Sequence, residues 1–380
     1  MALTEKGQVA LKYIQEFFPK GAFSAKDLSD ACGEKIVAAT LNGVANNGYI
    51  TKLGGSPVQY EAIADLDELL DAALTEQKRG RDNSNLHKAA KEKNDEFYTR
   101  YEDIEAEVMK YRKQFKDKIV YLPCDDPAEK KSELWSFFVN NFDAFGLKKL
   151  IATHYDENGK AYKIWIEDDT TGDGYIDDAD ALQEDLEGNG DFRSPECIEI
   201  LKECDIVCTN PPFSLFREFV DIIIKENKKL LIIGNKNAFT YQEIFKLIKE
   251  NKIWVGYEHP KDFRTEDGTI TKKVNGLCRW FTNMLTAKRN EELILTKEYN
   301  EIDFIKYDNY DAINVDKVIN IPKDYSETIG VPVTFIDNYN PEQFEILGLM
   351  ASTTITDTNF GYPYINGKKK YARVLIKKNK

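Results

Sequence analysis

The sequence predicts an α/β protein built on a doubly wound sheet, with a small α+β unit before it and an irregular, loop-rich region after it. Three observations predict this. Between Lys118 and Met284, short apolar, β-prone runs alternate with amphipathic helical stretches, the rhythm of strands joined by crossover helices. Ahead of that, residues 65–93 are charged and polar, with Lys78-Arg79-Gly80-Arg81-Asp82-Asn83-Ser84-Asn85 at their centre, as in linkers between domains. Past about residue 300 the rhythm stops, and Tyr, Asn, Pro and Gly alternate with short β-prone runs. A chain of 380 residues is long enough for two or three domains with a sizeable core.

The first unit spans residues 1–64. Val9, Leu11, Ile14 and Phe17 give a helical apolar face that Pro19-Lys20-Gly21 ends. Ser24 is placed to cap a short helix through Leu28 and Ala31, and Gly33 breaks it. A third helix carries Ile36, Val37, Leu41 and Val44 as far as Asn46-Asn47-Gly48. Two β-prone runs around Gly54-Gly55-Ser56-Pro57 then read as a hairpin. Three helices followed by a hairpin resemble a winged helix-turn-helix domain. That resemblance implies DNA contact through the third helix, with Lys52 on the wing. The third helix offers Lys35, Thr40, Asn42, Asn46 and Asn47 but no Arg, so protein docking is the other reading.

The second unit, residues 94–300, is expected to open with a helix from Asn94 through Ile104, Val108 and Tyr111. A strand through Lys118–Leu122, a helix from Lys131 to Asn141 and a strand at Lys149–Tyr155 follow. After an insert at 156–191 come a strand into Asn210, a helix from Leu215 to Glu226, the strand Leu230–Gly234 and the helix Tyr241–Glu250. Strands at Ile253–Tyr257 and Leu277–Met284 complete it. The rhythm implies a parallel sheet. Residues 301–380 form the C-terminal region, with β-prone runs at Val331–Ile336 and Tyr371–Ile376.

Charge is unevenly spread. The net charge is −13, but residues 156–191 hold 13 Asp/Glu against two Lys and so carry −11 of it. From Lys368 to Lys380 there are seven Lys/Arg and no acid. An acidic insert thus hides a near-neutral protein with a basic edge, which keeps nucleic acid open as a partner. No apolar run approaches the ~20 residues that span a bilayer, and the start Met1-Ala2-Leu3-Thr4-Glu5-Lys6 is unlike a secretory signal. The six cysteines show no C-x-x-C pair. The expectation is a cytoplasmic protein with reduced thiols.

The chemistry points to Asn210-Pro211-Pro212-Phe213. The apolar run Ile206-Val207-Cys208 stops there. Two prolines fix two φ angles, and the residues before them are held extended. The result is a rigid polar tip at the carboxyl end of a buried strand, where open α/β sheets place ligands. An ordered set surrounds it: Asp95-Glu96-Phe97-Tyr98-Thr99, then Tyr121-Leu122-Pro123-Cys124-Asp125-Asp126-Pro127, then Gly190-Asp191-Phe192-Arg193-Ser194, then Thr209 to Arg217. Gly330-Val331-Pro332-Val333-Thr334-Phe335 and Asn340-Pro341-Glu342-Gln343-Phe344-Glu345 follow it. Together these resemble the EcoRI-type family of adenine-specific DNA methyltransferases, over residues from about 94 to 380.

That resemblance implies a Rossmann-like fold dependent on S-adenosyl-L-methionine, double-stranded DNA as partner, a place in restriction–modification, and transfer of methyl to the N6 of an adenine flipped from the duplex. Asn210, Pro211, Pro212 and Phe213 would be catalytic: Asn210 and the Pro211 carbonyl accept from the amino group, and Phe213 stacks on the base. Phe97, Tyr98 and Thr99 would close over the methionine end of the cofactor. Pro123, Cys124 and Asp125 would form the first βα turn, and Asp191 with Phe192 would hold the adenine moiety. Asp156 is a further candidate for the ribose. In one respect the sequence departs from the wider superfamily: the glycine-rich first turn is replaced by Pro-Cys-Asp-Asp-Pro. An inactive DNA-binding regulator on this fold, or an amino-methyltransferase acting on RNA or protein, are the competing readings.

One motif lies apart. Asp169, Asp173, Asp177 and Asp180, with Gly174 and Ile176, fall at positions 1, 5, 9, 12, 6 and 8 of a twelve-residue calcium loop. Thr171 at position 3 and the short Asp180 at position 12 depart from the pattern, and the expectation is a surface loop with no metal in catalysis.

Overall fold

The structure is a computed structural model that describes residues 10–11, 13–14, 22–33, 35–46, 50–62, 98–125, 133–157, 160–261, 263–264, 270–271 and 276–379. The chain divides into two compact units, Met1–Lys91 and Glu92–Lys380. The connector expected at 65–93 and Phe97 lie outside the described residues.

In the first unit, β1 (Ala22–Ser24) runs into α1 (Ala25–Cys32), followed by α2 (Ala38–Asn46) and the hairpin of β2 (Ile50–Gly54) and β3 (Gln59–Ala62). The strands form one sheet, in the order β1-β3-β2. Ser24 caps α1 reciprocally: Asp27 N donates to Ser24 Oγ at 3.2 Å, and Ser24 N donates to the Asp27 carboxylate at 2.8 Å. Phe23, Leu28, Leu41, Val44, Ile50 and Tyr60 share one core with Ala10, Leu11 and Ile14. Tyr60 donates its hydroxyl to Asn42 Oδ1 at 3.0 Å, so this α2 side chain is turned toward the core hydroxyl.

The second unit opens differently from expectation. Tyr98–Thr99 form a strand, β4, and the helix α3 begins only at Tyr101 and runs to Val108. The aromatic and β-branched pair is captured by a partner, β12 (Phe263–Arg264), which also pairs with β13 (Ile270–Thr271). Local helical periodicity loses to a pairing that only the tertiary fold supplies.

The main sheet is built from β5 (Ile119–Leu122), β6 (Lys149–His154), β7 (Tyr162–Ile166), β8 (Leu182–Asp185), β9 (Ile206–Thr209), β10 (Lys229–Asn235), β11 (Trp254–Val255) and β14 (Cys278–Thr282), in the order β11-β14-β10-β9-β5-β6-β7-β8. Only β10-β9-β5-β6 are mutually parallel. The sheet is therefore mixed, with antiparallel strands added at both edges. The acidic insert supplies one edge as the antiparallel pair β7–β8, and antiparallel neighbours need no crossover helix.

Side chains alternate across this sheet. Val120, Leu122, Ile206, Cys208, Leu231 and Ile233 face one layer with α4 (Glu133–Asn140) and α5 (Phe142–Phe145). Tyr121, Val207, Leu230 and Ile232 face the other, with α6 (Pro195–Glu203), α7 (Phe216–Lys225) and α8 (Gln242–Lys249). Burial on both faces explains why the central strands read as unbroken apolar runs.

The C-terminal region is more regular than its sequence suggests. β15 (Ile313–Asn314), β16 (Ile329–Pro332), β17 (Phe344–Met350) and β20 (Arg373–Lys378) form a sheet in the order β15-β16-β20-β17, and β18 (Tyr364–Ile365) and β19 (Lys368–Lys369) form a hairpin. The strands were hard to see because their partners are separated by long loops.

Candidate active site

Two parallel central strands, β5 and β9, end side by side and deliver the two turns that matter. β9 ends at Thr209, whose hydroxyl donates to Asp125 Oδ2 on the turn after β5. Asp125 is only 3% exposed, and this bond helps to satisfy its buried carboxylate. Asn210 follows, half-buried, and its Nδ2 donates to Thr99 Oγ1 on β4 at 3.2 Å. This bond fixes the plane of the carboxamide and with it the direction of its acceptor oxygen. Pro211 is buried; Pro212 and Phe213 are half-buried, and Phe213 opens a 3-10 turn that leads into α7.

The β5 turn is held from the neighbouring strand. Thr153 on β6 donates its hydroxyl to the Pro123 carbonyl at 3.3 Å and meets the Tyr121 hydroxyl at 2.9 Å. Burial pushes the Cys124 thiol up, and the neighbouring Asp125 and Asp191 carboxylates push it further. Cys124 is thus a neutral wall between two acids, not a nucleophile.

Asp191 arrives from the end of the insert. Gly190 takes φ 76° and sits so close to the His154 carbonyl that a side chain would collide with it. This contact brings Asp191 against the end of β6, where Asp156 N also donates to the Asn189 carbonyl at 3.0 Å. Asp191 is not a free acceptor. Arg193 donates to it from Nε at 2.8 Å, from Nη2 and from its backbone N at 2.9 Å, and holds the carboxyl below the usual carboxylate range. Phe192 is buried and meets Phe219 of α7 edge-on, ring centroids 5.0 Å apart. A shallow apolar depression is lined here by Tyr121, Pro123, Phe192, Val207, Phe219 and Ile222.

The structure therefore gathers Thr99, Asn210 and the 123–125 turn with Asp191 and Phe192 at one end of the sheet. Tyr98 lies beside Thr99 on β4, half-buried. Sequence reasoning missed Thr209, Thr153, Phe219 and the grip of Arg193. A hydroxyl at the last position of an apolar strand was a usable signal for Thr209. Asp169, Asp173, Asp177 and Asp180 lie elsewhere and accept hydrogen bonds from their own loop: Gly172 N and Gly174 N donate to Asp169, Tyr175 N to Asp173, Ala179 N to Asp177, and Thr170 N and Thr171 N to Asp180. Among the described residues no group of three or more His, Cys, Asp or Glu is placed to hold a metal ion.

The large mixed sheet with helices on both faces is consistent with the fold class of S-adenosyl-L-methionine-dependent methyltransferases. Comparison with known proteins gives the family. Residues 85–379 match the family described as adenine-specific methyltransferase EcoRI. The chain is similar to the type II methyltransferase M.EcoRI of Escherichia coli, 44% identical over 326 residues, covering 79% of this chain and 98% of that protein. It is also similar to the type II methyltransferases M.MgeORF184P of Mycoplasma genitalium, at 39% identity, and M.MpnI of Mycoplasma pneumoniae, at 38%. These cover 77% of this chain each, and 98% and 97% of those proteins. No solved structure matches. The chain belongs to the EcoRI family of adenine-specific methyltransferases, and with it to the site-specific DNA methyltransferases. Among the described residues no helix is long and apolar enough to cross a membrane.

Proposed function

We propose that the protein draws an adenine out of duplex DNA and methylates its N6 amino group, with S-adenosyl-L-methionine as donor. The observation that carries this is the Asn210–Phe213 tip, fixed at the carboxyl end of β9 with its amide nitrogen occupied by Thr99. With the nitrogen tethered, Asn210 Oδ1 and the Pro211 carbonyl are the acceptors offered to an amino group. Two acceptors on N6 favour its pyramidal, nucleophilic form, in which the lone pair is free to attack. Phe213 supplies a flat face for an extruded base, a contact worth ~1–3 kcal/mol.

The cofactor's site is supported by the shape and chemistry of this chain. The depression lined by Pro123, Phe192, Phe219 and Ile222 is apolar, and Asp125 and Asp191 are close in sequence to its lining residues Pro123 and Phe192, a mixture that suits a flat heterocycle with polar substituents. Phe192 would stack on the adenine moiety and Asp191 accept from its amino group, which requires Arg193 to yield one of its bonds. Asp125 would face the ammonium of the methionine part, with Phe97, Tyr98 and Thr99 closing over it. S-adenosyl-L-methionine, when bound, supplies a methyl group on a sulfonium and leaves as a neutral thioether. The chain's own task is then alignment of N6, and an effective molarity gained by positioning is the main source of rate.

The first unit, with its β1-α1-α2-β2-β3 order, is proposed as a winged-helix module, and residues 301–380 as the part that reads DNA. Transfer of labelled methyl from S-adenosyl-L-methionine to duplex DNA, with sequencing of the product for N6-methyladenine, tests the reading and returns the recognition sequence. Label appearing on RNA or protein but not on duplex DNA would refute it.

A further inference from the structure

The C-terminal sheet sends two ordered loops from one end, the end at which Met350 and Pro332 both pair with Arg373. This end lies on the catalytic side of the main sheet. Asn210 follows β9 and the 3-10 turn Lys236–Thr240 follows the parallel β10. That turn packs against the turn Val333–Asn338, which directly follows β16. Arg279, opposite Gly234 near the end of β10, grips Asp337 of the same turn with Nε at 2.7 Å and Nη2 at 2.9 Å.

The first loop, residues 351–359, is held by Asn359. Its carboxamide accepts from Ala351 N at 3.0 Å and donates to Ser352 Oγ at 2.7 Å. The loop presents Ile355, 73% exposed, at its tip. The second is the β18–β19 hairpin. Asn366 and Gly367 turn it with φ 52° and 71°, and Asp308 clamps the turn by accepting from Asn366 N at 3.0 Å and Gly367 N at 2.7 Å. Asn309 ties its base, donating to the Tyr362 carbonyl at 3.0 Å and accepting from Tyr364 N at 3.2 Å. Lys368 and Lys369 are exposed on this hairpin, and Tyr371 beyond it is 88% exposed. Lys369 Nζ lies over the Tyr362 ring, 3.2 Å from its centroid.

A chain with net charge −13 has thus placed lysines, an aromatic ring and an apolar tip on pre-ordered backbone beside its catalytic face. Ile355 on the first loop and Tyr371 just after the hairpin stand exposed next to the lysines, which places apolar and cationic groups together at one end of this sheet. We propose that these loops are the duplex-gripping edge of the enzyme, with Lys368 and Lys369 on phosphates and Ile355 and Tyr371 on bases. The inference rests on duplex DNA being the substrate. Fixed phosphate contacts set register without reading sequence, whereas apolar groups inserted at base steps read deformability and base edges.

The test compares the full-length wild type with Lys368→Ala/Lys369→Ala, with Lys368→Arg/Lys369→Arg and with Ile355→Ala/Tyr371→Ala. Fluorescence anisotropy is read on the target duplex and on a one-base variant, across a salt series. Binding of S-adenosyl-L-methionine by calorimetry serves as the folding control. The alanine pair of lysine variants is expected to weaken both duplexes equally, about 10-fold, and to make the log–log salt slope shallower by about 1.8, since each phosphate contact contributes ~0.9. The arginine pair keeps the slope. Ile355→Ala/Tyr371→Ala keeps the slope but lowers target-over-variant discrimination about 10-fold. An unchanged slope in the lysine-to-alanine variant, or undiminished discrimination in the other, overturns the proposal. A wild type that methylates no duplex fails the functional reading instead, so the two failures are distinguishable.

Discussion

Asn210 is oriented in the site by its bond from Nδ2 to Thr99 Oγ1 at 3.2 Å. Removing the carboxamide deletes one of the two acceptors for the amino group and, of the groups assigned to the cofactor, releases only the Thr99 hydroxyl. Asn210→Ala is expected to lower kcat by ~10²-fold or more, the scale of losing one fixed polar contact to a transition state, while cofactor affinity by calorimetry stays within about threefold. Undiminished turnover would remove Asn210 from catalysis. Arg193 makes a second prediction. Its bonds hold the Asp191 carboxyl below the ordinary range, so the pair stabilises the fold above the unfolded carboxyl value, about 3.9. That stabilisation is lost as pH falls through the depressed folded value. Arg193→Gln should therefore cost about 0.5–1 kcal/mol at pH 7, a modest figure because the pair is partly open to solvent. The difference should narrow at a pH below the ordinary carboxyl range. Urea midpoints at the two pH values check this; an equal gap at both would refute it.

At the scale of elements, the hinge of the site is the return from the insert. Gly190 is at φ 76° and backs onto the His154 carbonyl. Gly190→Ala adds a methyl where there is no room and forces an unfavourable backbone region, at a cost of about 1–3 kcal/mol. Because Asp191 and Phe192 follow at once, cofactor affinity should fall together with the thermal midpoint; a variant of wild-type midpoint would contradict the packing described. The elements also show what a sequence can carry. The tip at Asn210–Phe213 was legible because an apolar run stopped by two prolines allows few conformations. The central strands were legible because double burial leaves a continuous apolar signature. β4 was not, because two residues carry no periodicity and their partner, Phe263–Arg264, comes far later in the chain. Nor was the C-terminal sheet, where β16 and β17 meet only through β20 at the chain's end. The grip of Arg193 on Asp191 was hidden in a motif whose residues were all visible, since adjacency in sequence does not say which side chains bond.

At the scale of the molecule, the division at Lys91/Glu92 and the family match from residue 85 point to a self-sufficient second unit. A chain beginning at Asn85 is expected to fold and to keep methyl transfer within about threefold, as judged by circular dichroism and label incorporation. Loss of folding would show that the first unit completes the core. If the truncated chain transfers methyl normally but binds duplex more weakly, the first unit contributes affinity. In the described part of that unit Asn42 is engaged by Tyr60, while Lys35 and Lys52 are exposed.

The strand order has an electrical consequence. The insert that holds −11 of the chain's charge builds the β7–β8 edge, whereas the C-terminal sheet, with its basic end, joins the main sheet through contacts near β10 and β11. The larger unit is therefore a dipole lying roughly along the sheet. Near a polyanion such a body experiences a torque as well as a force. The field of a duplex would swing the acidic edge outward and the basic edge inward before any atom touches. That alignment acts over roughly one Debye length, about 10 Å at 0.1 M salt, so added salt should slow productive encounters even where the final contacts are unchanged.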